Sequence, residues 1–214
     1  MPFLNRQSTD TKTKIMEVAF ELFGKEGFEG TSIREIARLS GANLAAVNYH
    51  FKTKENLFWE VMAAIYKEVH LAVEQFASES KNTKELALKT YDYFLHEKTA
   101  VRATMKMMLI DLKPPEDLSD EALKILNNPM GPPGGEFFAQ MLMKEIPYQL
   151  SREGVMWGVK SIFGVVHHWA VLFTCPAVME DKDPLMSEEQ IRKDVESMLD
   201  SHLIYLMNNK NRFS

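Results

Sequence analysis

A chain of 214 residues with 45% hydrophobic and 26% charged residues has the make-up of an ordinary folded protein and excludes a disordered polymer; it is long enough for a head of roughly 50 residues joined to a larger domain. The net charge of −5 speaks against a nucleic-acid surface running the length of the chain, because phosphate contacts need Lys and Arg. Through Lys54, however, eight cations (Arg6, Lys12, Lys14, Lys25, Arg34, Arg38, Lys52, Lys54) stand against six carboxylates (Asp10, Glu17, Glu21, Glu26, Glu29, Glu35), giving +2 and leaving −7 for the rest, which fits DNA binding by the head alone.

Cys175 is the sole cysteine, so no intrachain disulfide can form. No apolar run approaches the roughly 18 residues of a bilayer span. The opening stretch MPFLNRQSTDTKTK lacks the apolar middle region of a secretory signal. A cytoplasmic protein without membrane association is expected.

Helix one is expected over about Thr11–Lys25, with Ser8, Thr9 and Asp10 as cap candidates. Ile15, Val18, Ala19, Leu22 and Phe23 form one apolar stripe, and Gly27 stops it. Lys12 and Lys14 either reach phosphates or form a solvated helix end. Ser32 to Glu35 reads as a capping box opening the next helix, where backbone N–H groups also suit a phosphate. Thr31, Ser32 and Arg34 are therefore backbone-clamp candidates, with capping alone as the other reading of the hydroxyls.

Ile33 to Phe51 reads as two short helices joined by a tight turn. Two helices that cross closely need a small residue on the first, a glycine in the turn four residues later and a branched apolar residue six beyond that; Ala37, Gly41 and Val47 meet all three demands. Asn43 caps the second helix. The remainder, Leu44, Ala45, Ala46, Asn48, Tyr49 and His50, divides between packing and an outward face; the two small alanines let the backbone approach base edges, and Asn48, Tyr49 and His50 offer hydrogen bonds to bases or phosphates. A helical hairpin buried in a core has the same spacing. Beyond Phe51, Lys52 is a further DNA-facing cation and Thr53 caps a long fourth helix reaching about Phe76. Lys54 is a cation at that helix's N-terminus, where it opposes the helix dipole unless a phosphate binds there.

The run LFGKEGFEGTSIREIARLSGANLAAVNYHFKTKENLF resembles the N-terminal DNA-binding domain of the TetR (tetracycline repressor-like) family of transcriptional regulators, over about Ile15 to Phe58. The likeness rests on the helix-one stripe, the Gly-Phe entry, the Thr-Ser cap, Ile-Ala, the Ser-Gly turn, the Tyr-His-Phe end and Lys-x-Lys-Glu. It implies that Thr31, Ser32, Tyr49, His50 and Lys54 face phosphates and that Leu44, Ala45 and Asn48 lie near base edges. Many members carry an aromatic residue where Asn48 stands. An all-α protein is expected, with a three-helix helix-turn-helix DNA-binding domain at residues 1–55 and a larger helical ligand-binding and dimerisation domain at 56–214.

In that body, Thr83 begins a helix with Ala87, Leu88, Tyr91, Phe94 and Leu95 inward. Val101, Met105, Met108, Leu109 and Leu112 mark another, up to Pro114-Pro115. Residues 113–135 hold five prolines and read as irregular, interrupted by a short helix near Asp120–Leu126. Phe137, Phe138, Met141, Leu142 and Ile146 make a helix ended by Pro147. Ser151 caps a helix from Arg152 to Phe173 that is apolar on nearly all sides and so must be buried twice over. Val155, Val159, Ile162, Phe163, Val166 and Ala170 suit the domain core, leaving Gly158, Ser161, Val165, His168 and Leu172 for a second surface. The final helix opens on the Ser187–Gln190 capping box and carries Ile191, Val195, Met198, Leu199, His202 and Leu206. Surplus apolar surface on these last two helices points to a homodimer through a four-helix contact, which the family resemblance also implies. Its expected members are Gly158, Ser161, Val165, His168, Leu172, Ile191, Val195, Met198 and His202. A two-fold pair of heads suits a palindromic operator read in successive major grooves.

Fourteen methionines are many, and Met105, Met108 and Met141 fall in the central helices with Phe137, Trp157, Phe163 and His167. Such residues line a pocket for an apolar or aromatic effector or simply fill a core; the resemblance implies the pocket. His167 and His168 point about 100° apart on a helix and cannot chelate one metal by themselves, so no metal or cofactor is expected. Neither the Glu-x-x-His spacing of di-iron bundles, nor a phosphate-cradling glycine loop, nor a G-x-S-x-G site occurs, so an enzyme is not expected. Operator DNA, a second copy of the chain and a small-molecule effector are the expected partners of a repressor; a DNA-binding protein without an effector shares the same head.

Overall fold

The computed structural model describes residues 10–174 and 187–214; the cap candidates Ser8 and Thr9, together with Arg6 and Cys175, lie outside the described residues. Eleven helices are found among the described residues: α1 Thr11–Gly30, α2 Ile33–Ser40, α3 Leu44–Phe51, α4 Lys54–Glu79, α5 Thr83–His96, α6 Lys98–Met108, α7 Asp120–Leu126, α8 Gly135–Glu145, α9 Arg152–Leu172, α10 Glu188–Asn208 and α11 Lys210–Phe213. The all-α expectation holds.

Two compact units emerge, one of Met1–Glu68 with Thr99–Asn127 and one of Val69–Lys98 with Asn128–Ser214. The boundary expected at residue 55 is thus displaced, and the first unit is discontinuous in sequence. Its cause is packing: α4 continues without a break, and Ala100 and Met107 of α6 join the core formed by Ile15, Phe23, Ile36, Val47, Phe51, Leu57 and Phe58. Leu118 and Ala122, around the start of α7, cluster with Ala63 of α4.

The inward face of α6 differs from the expected one. Ala100, Val101, Thr104 and Met107 are buried, whereas Met108 and Leu109 are 47% and 87% exposed. Of the side chains expected inward, Val101 is buried and Leu112 packs partly against the core, so the face is turned rather than reversed. The small Ala100 admits close helix approach, and Thr104 hides its hydroxyl by donating to the Ala100 carbonyl at 2.8 Å.

Caps set most helix starts as local chemistry requires. The Thr53 hydroxyl accepts from Asn56 N–H at 3.1 Å, Asn82 caps α5, which begins at Thr83 as expected, and Ser151 and Ser187 cap α9 and α10 through Gly154 and Gln190 N–H groups. Ile146, held extended at φ −74° and ψ 129° before Pro147, ends α8.

In the second unit α9 packs on α5, α8 and α10. By length and composition alone α9 would suffice to cross a bilayer, contrary to the sequence expectation that no run comes near. Here it is the central helix: Gly154, Val155, Gly158, Val159, Ile162, Val166 and Ala170 are buried. The C-terminal α11 lies against its start, Ser151 N–H donating to the Phe213 carbonyl at 2.6 Å.

Candidate nucleic-acid interface

The head is assembled on an aromatic triad. Phe23 and Phe28 of α1 and Phe58 of α4 lie with ring centroids 5.2 to 5.9 Å apart, two of the three contacts edge-to-face. Gly27 breaks α1 at φ 77° and ψ 174°, a conformation open to a residue without Cβ, and so turns Phe28 back into this core. Ser32 caps α2 by accepting from Glu35 N–H at 3.2 Å. Glu35 does not complete the capping box; its carboxylate takes two hydrogen bonds from Arg38, at 3.0 and 2.7 Å, which also hold it below the usual carboxylate pKa.

Gly41 closes α2 in the left-handed region at φ 70°, and Asn43 starts α3 by accepting from Ala46 N–H at 2.7 Å. Ala37 and Val47 are both buried at the α2–α3 crossing. The helix-turn-helix spacing is therefore realised, and with it one face of α3 is left outside: Leu44, Ala45, Asn48 and Tyr49 are exposed, Tyr49 at 84%. Asn43, Ser32, Arg34 and Lys52 are exposed around it, and His50 is half-buried with its ring against Tyr49 and Phe51.

Thr31 and Lys54 are placed otherwise than expected. Thr31 is 3% exposed and donates its hydroxyl to the Gly27 carbonyl at 2.7 Å, bracing the break in α1. Lys54 donates to the carbonyls of Phe28 and Thr31 at 2.9 and 3.2 Å and lies 4.2 Å above the Phe28 ring. The cation at the start of α4 is thus offset by carbonyls at the end of α1, and no phosphate is needed to explain it. Lys54→Ala is expected to cost about 1.5 kcal/mol of stability, from two charge-assisted hydrogen bonds. It should also shift the salt dependence of DNA binding by less than the unit a free phosphate-binding lysine gives. Urea unfolding and a salt titration check both; unchanged stability would refute the assignment.

Sequence inspection missed Asp117. Its carboxylate pairs with Lys52 at 3.2 Å and accepts from the buried Asn56 amide at 3.2 Å, tying the α3–α4 turn to the segment before α7. These bonds, that from Lys52 foremost, hold its carboxyl below the usual range. Lys52 and Asp117 are 65 positions apart in sequence, so no local pattern announces the pair.

The residues expected around an effector are divided between the units, and within the second unit they do not gather in one place. Met105 and Met108 belong to the first unit and the other five to the second. There Phe163 and His167 stack at 6.1 Å, with Phe94 edge-on to both and Phe138 edge-on to Phe163. Burial, foremost, and His168 keep the His167 imidazole below the ordinary histidine pKa. Phe137 packs on His70 instead, and Met141 is half-buried on α8. Trp157 contacts His202, Tyr205 and Phe213, at 6.0, 5.3 and 5.0 Å. Six residues turn a helix through about 600°, so Trp157 and Phe163 cannot share a face. None of the seven lines the open cleft of about 390 Å³ beside α5 and α10, bounded by Lys84, Lys89, Asp92 and Arg192.

Three of the residues expected at a dimer seam are interior to the chain. Ile191 and Val195 are 1% and 0% exposed, and Gly158 is buried where a Cβ would come within 2.7 Å of Leu142 and 3.1 Å of Leu206. The stripe Ile191, Val195, Leu199, Leu203 and Leu206 is the inner face of α10. Ser161, Val165, His168, Leu172, Met198 and His202 retain exposure. Trp169, donating to the Met198 sulfur at 3.3 Å, links the two helices there.

Comparison with known proteins bears on both units. Residues 15–61 match the family described as bacterial regulatory proteins, tetR family. The probable HTH-type transcriptional regulator YttP of Bacillus subtilis is 38% identical over 81 residues, which is 37% of this chain and 39% of that protein. The HTH-type transcriptional regulator QacR of Staphylococcus aureus is 51% identical over 51 residues, 24% of this chain and 27% of that protein. The matched region thus spans well under half the length of these relatives. Over the whole fold, the transcriptional regulator FadR of Bacillus subtilis, solved in complex with stearoyl-CoA, superposes with a TM-score of 0.61 at 17% identity, covering 91% of this chain and 97% of that one. The helix-turn-helix head at residues 15–61 thus matches the tetR family of bacterial regulatory proteins in sequence, and the chain as a whole shares the all-helical fold of FadR.

Proposed function

We propose that the protein is a transcriptional repressor that binds a palindromic operator as a homodimer and is released by a small apolar or aromatic effector. The observation that carries this is the outward face of α3. A short helix locked from behind by Val47 and Phe51 presents Leu44, Ala45, Asn48 and Tyr49 to solvent, with Ser32 and Arg34 of the α2 start beside the same motif. Dimerisation is supported by the exposed His168 and the half-buried Ser161, Val165, Leu172, Met198 and His202 of α9 and α10.

An effector site is supported by the aromatic group Phe94, Phe138, Phe163 and His167. Three residues before Phe94, the fully buried Tyr91 keeps a hydroxyl with no hydrogen-bond partner among the described residues, and burial, foremost, pushes its pKa up to about 12. That hydroxyl suits a polar group on a mostly apolar ligand. The relative FadR supplies a precedent, being solved with stearoyl-CoA. Because α4 runs unbroken from Lys54 to Glu79, ligand-driven displacement of its second half would move its first half and change how two heads fit one operator.

Selection from a random duplex pool tests the reading. Enrichment of a two-fold symmetric sequence, bound at about 10⁻⁸ M or tighter at physiological salt, is expected. Absence of any enriched sequence overturns it, and an operator affinity indifferent to fatty acyl and aromatic ligands removes the effector part.

Asp117→Asn should strengthen binding to all sequences and steepen the salt slope by up to about one unit, because it frees the Lys52 ammonium while leaving an acceptor for Asn56. Anisotropy titrations across salt concentrations measure this; an unchanged slope would exclude Lys52 from the contacts.

A further inference from the structure

The α3 face carries a code as well as a shape. Eight residues make a helix about 12 Å long, enough to address three or four base pairs in a major groove. Asn48 lies four residues after Leu44 and three after Ala45, so these three side chains are neighbours on one exposed patch. Asn43 spends its carboxamide oxygen on the Ala46 N–H, whereas the Asn48 side chain is exposed and held by no other group in the described protein.

No lysine or arginine occurs on α3 to take the two acceptors of a guanine edge. Of the neighbouring cations, Arg38 is engaged with Glu35, Lys52 with Asp117 and Lys54 with two carbonyls, while the exposed Arg34 stands on α2 and not on the α3 face. A free carboxamide instead offers one donor and one acceptor side by side, which matches the N7 acceptor and N6 donor of adenine. On guanine the same fork sets its oxygen against O6. The apolar Leu44 and Ala45 offer nothing to a polar edge and fit a thymine methyl.

We infer that each operator half-site is read at A·T pairs, with Asn48 taking one adenine through N6 and N7 and Leu44 with Ala45 packing on the methyl of an adjacent thymine. This rests on the operator-binding reading above. The test uses the full chain and the duplex selected from a random pool. Wild-type protein should bind about tenfold more weakly when one particular adenine per half-site becomes guanine, or becomes 7-deaza-adenine, which lacks only the N7 acceptor. Replacing the adjacent thymine by uracil should weaken binding by a smaller factor. Asn48→Ala should lose about tenfold on the selected duplex, cease to distinguish bases at that one position and keep the wild-type salt slope. Selected half-sites in which a G·C pair depends on Asn48, or identical base preferences for wild type and Asn48→Ala, overturn this inference and leave the regulator reading intact. Failure to enrich any sequence overturns both.

Discussion

Phe58→Ala is expected to cost about 4 kcal/mol and to abolish sequence-selective DNA binding. The side chain is 1% exposed and touches Phe23 and Phe28 edge-to-face at 5.2 and 5.5 Å, with Trp59 at 5.5 Å. Truncating a buried phenylalanine removes its transfer energy and leaves a cavity, together about 3–5 kcal/mol, and each lost aromatic contact adds about 0.5–1.5 kcal/mol to what burial alone supplies. Against a total stability of about 5–15 kcal/mol that loss is large. The functional consequence follows from where Phe58 packs: its cluster also holds Ile36 of α2 and Val47 of α3, so the crossing that aims α3 loses its floor. Urea unfolding should show a lower midpoint with little change in slope. Phe58→Leu, which keeps most of the volume, should cost roughly 1.5 kcal/mol. A loss below about 1 kcal/mol for the alanine variant would mean that the triad does not support the head.

Gly24→Ala is expected to destabilise by about 2 kcal/mol, where the same change in a free helix would stabilise by up to about 1 kcal/mol. The sign is decided by α6. A Cβ at residue 24 would stand 2.6 Å from the Ala103 Cβ and 3.3 Å from its Cα. Ala103 has no rotamer by which to withdraw, so the two helices must separate. Lys106 of α6, donating to the Gly24 carbonyl at 3.1 Å, would move with them. Ala103→Gly removes the struck atom, and the double variant should regain part of the loss; additive effects of the two changes would falsify the contact. Since α6 is remote in sequence from the helix-turn-helix, a fall in stability here also shows that the folding unit of the head reaches well past its motif.

The helix-turn-helix was legible because each of its devices is local. A serine or asparagine accepting from an N–H three residues on, a glycine at positive φ, and the Ala37, Gly41, Val47 spacing are all settled within a dozen residues of chain. The same locality misled at Lys54. Its position at a helix start was visible, but the Phe28 and Thr31 carbonyls that hold it come from 26 and 23 residues away. Residue type alone likewise groups six apolar side chains and His167 as one effector site, whereas helix rotation sends Trp157 and Phe163 to different clusters.

By itself, then, the amino-acid order determined the helical class and the helix-turn-helix, since hydrogen bonds and side-chain periodicity within one or two turns suffice for these, while the outward place of Leu44, Ala45 and Asn48 followed from the family resemblance. Only the tertiary structure decided that α6 and α7 complete the head, that Ile191, Val195 and Gly158 are interior, and that Asp117 holds Lys52. A helix apolar on most sides does not state which side faces its own chain, and a charge does not name its partner across 65 residues; both are resolved by close packing, in which each buried side chain must fit what surrounds it.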